Sequence, residues 1–154
     1  MSISKVYPVS EALAASSLLN KDSYQQMYQQ SIETPDTFWA AQATQFLDWF
    51  RPWTQVQKSN LRSGEAHWFI DGKLNASYNC IDRHLPKRAT QTAIIWEGDS
   101  PDDSRHISYQ ELYEQVCRLA NVLKQRGVEK GDRICIYMPM IPEALYAMLA
   151  CARI

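Results

Sequence analysis

The sequence runs to 154 residues, enough for one ordinary domain with a core, and its 45% apolar share is that of a globular chain. Sixteen Lys and Arg against 17 Asp and Glu, both signs interspersed, leave no basic stripe for nucleic acid and no polybasic segment for an anionic membrane. Five Trp and eight Tyr make it rich in aromatics.

In chain order, residues 10–33 are helix-prone, with Ser10 and Asp22 as expected N-caps and Tyr24, Met27, Tyr28 and Ile32 on one helical face. One early Lys and then Glu11 inside a mildly apolar stretch argue against a secretory signal. Thr34-Pro35-Asp36 opens a second helix, Thr34 as cap and Pro35 at the first position. Phe38, Trp39, Gln42, Phe46 and Leu47 give it a mostly apolar stripe. Arg and Lys are nearly absent between Asp22 and Phe50, so this stripe reads as a packing surface and not as a platform for bases.

Residues 54–65 are polar and are expected to be a connection. His67 to Asn75 reads as a strand, an Asp71-Gly72 hairpin turn and a second short strand. After a turn-like 75–79 stretch, Ile81 and Leu85 share a helical face. Thr92 to Trp96 is a strand, 98–103 a turn-rich loop, and Arg105 to Ile107 a return strand.

The clearest local signal is Ser108-x-x-Glu111, a capping box flanked by Ile107 and Leu112 as a hydrophobic staple. Leu112, Val116, Leu119, Ala120 and Leu123 continue one helical face to Arg126, and Gly127 stops it. Ile134 to Met138 is a continuous apolar run bounded by Gly131 and Pro139, expected to be a strand buried on both faces. Pro142 and Glu143 then suit the first turn of a helix. Leu145, Met148, Leu149 and Ala152 form one stripe along it, and Ala144, Ala147 and Cys151 a second, small enough to approach a sheet. Two prolines and Glu143 make this a buried β–α unit and not a membrane span. It is the first half of a βαβ crossover, and with no cap after Arg153 the end at Ile154 reads as a cut. The fold class expected is therefore α/β.

The search for chemistry returns little. The sequence has no G-x-x-x-x-G-K-[ST], no G-x-G-x-x-G and no G-x-S-x-G. Cys80, Cys117, Cys135 and Cys151 form no C-x-x-C pair, which fits reduced core thiols in a cytosolic protein. Cys80 and His84 stand four apart, but two ligands make a poor metal site. Asp82, Arg83 and His84, and likewise Asp132-Arg133, read as loop anchors through charge-assisted hydrogen bonds.

Several phrases carry more. YQQSIETPDTFW (28–39), NASYNCIDRHL (75–85), AIIWEGD (93–99), GDR (131–133), IYMPMIPEA (136–144) and MLACARI (148–154) together resemble the AMP-forming acetyl-CoA synthetases from about Tyr24 onward. The resemblance implies an N-terminal helical and hairpin extension followed by the truncated beginning of the large α/β domain of an adenylate-forming enzyme. The implied division is a leader at 1–22, the extension at 23–84 and the start of the AMP-binding domain at 85–154. The implied full-length activity joins acetate to CoA with ATP and Mg²⁺ through acetyl-AMP, in the cytoplasm, without nucleic acid or membrane. No catalytic, cofactor-binding or metal residue of the family maps onto this chain, so none is expected here, and no cofactor is expected to bind it alone. The partner expected is the remainder of its own chain. A ligase for propionate or another short acid, and a stand-alone non-catalytic module, are the competing readings.

Overall fold

The computed structural model describes residues 7–60, 62–100 and 102–154, which fall into two units, one running to Gln45 and one from Phe46. The first unit is helical. Helix α1 (Glu11–Ser16) starts where the Ser10 hydroxyl accepts the Leu13 N–H. Helix α2 (Lys21–Glu33) starts two residues earlier than expected: Asn20, not Asp22, is the cap, in a reciprocal box with Ser23. Asp22 sits in the first turn, where its charge suits the dipole. Thr34 does not cap α3 (Pro35–Phe46) with its side chain. Its hydroxyl donates back to the Gln30 carbonyl and closes α2 instead.

In the second unit the first surprise is β1 (Gln55–Asn60), which occupies the stretch expected to be a connection. It pairs antiparallel with β2 (Glu65–Ile70), from Gln55 opposite Ile70 to Asn60 opposite Glu65. Polar side chains hid it, since its burial pattern leaves only Val56 inside. The expected hairpin about Asp71-Gly72 is consequently not one. The turn exists, with Gly72 N–H on the Phe69 carbonyl and Asp71 at φ 63°, but Lys73 goes on to bridge Arg51.

Asn75 caps α4 (Ala76–Cys80), accepting the Tyr78 N–H at 3.0 Å. A 3₁₀ turn (Asp82–His84) and a single helical turn, α5 (Leu85–Arg88), follow. Strands β3 (Thr92–Glu97) and β4 (Ser104–Ser108) pair antiparallel as expected. Helix α6 (Tyr109–Gln125) has the full capping box, with the Ser108 hydroxyl on Glu111 N–H and the Glu111 carboxylate on Ser108 N–H. Ile107 and Leu112 are both buried, and Gly127 ends the helix at φ 84°.

Helix α7 (Pro142–Arg153) forms where Pro142 and Glu143 indicate, and of its two expected stripes it is the small one, Ala144, Ala147 and Cys151, that lies towards the inside. Tyr146, Ala147 and Ala150 are inside, while Leu145 and Met148 are exposed. The core joins Ile81, Ile107, Leu112, Val116, Ala120, Tyr146 and Ala150, and α7 packs chiefly on α6 and α4. Residues 134–138 form no strand, and Tyr137 is wholly exposed. A strand exists only by pairing, and no described residue pairs with these. Cys80 and Cys135 are likewise exposed rather than core thiols, with Cys117 and Cys151 half-buried and all four free. No helix among the described residues is long and apolar enough to cross a membrane.

Candidate functional site

The densest polar construction of the second unit is built by the segment 75–84. Asn79 is buried and uses its whole amide: its oxygen accepts Asp48 N–H (2.8 Å) and an Arg83 N–H (3.0 Å), and its nitrogen donates to the Asp48 and Asn75 carbonyls. Arg83 also donates to the Phe46 carbonyl at 2.7 Å. Two residues of one short stretch, Asn79 and Arg83, thereby fix the backbone at 46–48. A buried amide with every group paired costs little and specifies one arrangement, because any shift would leave a desolvated donor or acceptor.

The same stretch grips the far end of α7. Arg153 lays both guanidinium nitrogens on both Asp82 oxygens, at 2.7 and 2.6 Å, and donates to the Ser77 hydroxyl at 3.4 Å. Its guanidinium carbon sits 5.2 Å from the centre of the Tyr113 ring. Ser77 is fully buried. The Asn75 side-chain nitrogen donates to the Ala152 and Arg153 carbonyls, at 3.0 and 3.3 Å, two of the carbonyls that a helix end leaves without an intrahelical partner. The Asp82 bond holds the Arg153 proton far more firmly than usual, against the opposing effect of burial. The Tyr113 phenol is pushed up, mainly by the Cys117 side chain, then by burial, with Arg153 pulling the other way.

Two clefts flank this end of α7. One of about 250 Å³ is lined by Asn75, Glu129, Asp132, Ile134, Cys151 and Ile154 among others, and one of about 510 Å³ by Tyr113, Cys117, Lys124 and Arg153 among others. Cys80 and His84 do not build a metal site. Cys80 is exposed, the His84 ring lies against Tyr109 at 5.3 Å, and no three His, Cys, Asp or Glu gather among the described residues. Asp82 and Arg83 are anchors, as their charge suggested, and Asp132 accepts the Glu129 N–H at 2.8 Å in the turn before residues 134–138. What sequence reasoning missed is the other half of the arrangement. A basic residue in a last helical turn is the one available signal for Arg153. Nothing in the sequence pairs it with Asp82, 71 residues away.

The arrangement therefore positions chain segments, and the residues that build it are those of the N-C-x-D-R-H block. A family model described as acetyl-coenzyme A synthetase N-terminus matches residues 24–80, and one described as AMP-binding enzyme matches 81–154. The chain belongs to the acetyl-coenzyme A synthetase family of AMP-binding enzymes. It is 63% identical over 149 residues to acetyl-coenzyme A synthetase 2 of Pseudomonas aeruginosa, covering 97% of this chain and 23% of that protein. It is 57% identical over all 154 residues to the acetyl-coenzyme A synthetase of Alkalilimnicola ehrlichii, 24% of that protein. Among solved structures, the acetoacetyl-CoA synthetase from Streptomyces lividans superposes with a TM-score of 0.76 at 31% identity, over 84% of this chain and 20% of that one. The chain thus spans about a quarter of the length of the curated relatives it matches, and its mixed helix and small-sheet fold corresponds to the N-terminal part of such an enzyme. The two family segments meet at residues 80 and 81, inside the block. Asn75 and Ser77, from the first, hold the last turn of a helix belonging to the second.

Proposed function

We propose that this chain is the N-terminal quarter of an acetate–CoA ligase that makes acetyl-CoA from acetate, ATP and CoA by way of acetyl-AMP. The observation that carries the reading is the tiling of residues 24–154 by the two family segments, with 54–63% identity to proteins named acetyl-coenzyme A synthetases. Acetate is favoured over a larger acid because identity to those proteins is about twice the 31% to the acetoacetyl-CoA synthetase.

The chain's own contribution is architectural. It brings no phosphate-binding loop, and among the described residues no carboxylate cluster suits Mg²⁺, so no metal position and no catalytic, acetate, ATP or CoA contact is assigned to it. Activation of a carboxylate at phosphorus depends on positioning and on charge stabilisation, and the groups for both belong to the remaining three quarters of the enzyme. That remainder is the chain's principal partner. The working division is a leader at 1–22, an extension at 23–84 and the start of the AMP-binding domain at 85–154, in a cytoplasmic enzyme that engages neither nucleic acid nor membrane.

The test joins this chain to the remaining three quarters of the Pseudomonas aeruginosa relative. The joined protein is expected to release pyrophosphate from ATP only with acetate, then AMP on addition of CoA, while the 154-residue chain does neither. Turnover by the 154-residue chain alone, or a joined protein indifferent to acetate, overturns the reading.

A further inference from the structure

We draw no further inference here: the strongest candidate, the cleft of about 510 Å³ between the second half of α6 and the end of α7, where Tyr113, Cys117, Asn121, Lys124 and Arg153 meet, belongs to the segment-positioning arrangement already described, in which Arg153 is committed to Asp82 and Ser77, and nothing else in the structure points to a ligand for it.

Discussion

Arg153 reaches back 71 residues to close a two-point ion pair on Asp82, with nitrogen to oxygen distances of 2.6 and 2.7 Å. Both side chains are about four-fifths shielded. Charge-assisted hydrogen bonds in such surroundings contribute about 1.5–3 kcal/mol each way they are cut, and the stranded partner adds its own desolvation cost. Asp82→Ala and Arg153→Ala are each expected to destabilise the protein by roughly 2–4 kcal/mol in urea denaturation. The double variant is expected to lose much less than the sum, since the second substitution removes the stranded charge. Strictly additive losses would mean the two residues act separately. Arg153→Lys should recover only part of the loss, because a single ammonium cannot reproduce a two-point contact.

Asn75 does two jobs with one amide, and the two can be separated. Its oxygen caps α4 through Tyr78 N–H, and its nitrogen donates to the last carbonyls of α7. Asn75→Asp keeps the cap, since Asp is as good an N-cap as Asn. It loses the donor and puts a negative charge against the negative end of α7. The expected result is a loss of about 1–2 kcal/mol with faster exchange confined to the last turn of α7. If Asn75→Asp were neutral and only Asn75→Ala destabilising, the contact to α7 would carry nothing.

The capping box of α6 gives the pH prediction. Hydrogen bonds from Ser108, backbone first and hydroxyl second, hold the Glu111 carboxyl below its ordinary value of 4.5. A carboxyl lowered on folding adds stability that is complete above its unfolded value and fades as pH falls through the folded one. The difference in melting temperature between the native protein and Glu111→Gln should therefore be constant near neutrality and shrink below about pH 4.5. A difference that grew on acidification would reverse the assignment. Ser108→Ala, which removes the cap itself, should cost about 0.5–2 kcal/mol near neutrality, and the part owed to the hydroxyl's bond to the Glu111 carboxylate should fade in acid.

These sites differ in how far the sequence announced them. The Ser108 box and its staple are local, four residues that satisfy one another, and they were legible in full. So were β3, β4 and the start of α7 at Pro142, where chain-local chemistry decides. Strand β1 was not. Gln55 to Asn60 carries almost no apolar alternation, and only its partner β2 makes it a strand. The Ile134–Met138 run failed in the opposite way. Its side chains read as a buried strand, but pairing is supplied by a neighbour, and among the described residues none is there. Along α7 the small stripe was read correctly at Ala147 but the large one was not: Leu145 and Met148 are exposed, and α6 and α4 take Tyr146 and Ala150. Resemblance pointed to the 75–85 block as a unit, whereas the partners of Asn75, Asn79 and Asp82 lie across loops that no periodicity describes.

Two glycines separate close approach from backbone freedom. At Gly72 an added methyl carbon would stand 2.6 Å from Cζ3 of Trp49 and 2.9 Å from the Phe69 carbonyl oxygen. That carbonyl cannot retreat without giving up the Gly72 N–H it accepts. The Trp49 ring is in turn packed on Trp53 and Phe69, at centroid distances of 4.8 and 5.3 Å. Relief must therefore come from moving Trp49 within its cluster, and overpacking of this kind costs about 1–3 kcal/mol. Gly127 presents the other case. Nothing lies within 4 Å of the added carbon, but φ is 84°, a conformation that costs a side-chain-bearing residue on the order of 1 kcal/mol. Gly72→Ala and Gly127→Ala are thus both destabilising, and tryptophan emission tells them apart. The first should shift the spectrum of the folded protein because the Trp49 environment changes, and the second should leave it unaltered. An unshifted spectrum with an unchanged denaturation midpoint for Gly72→Ala would mean that Trp49 does not rest on this turn in solution.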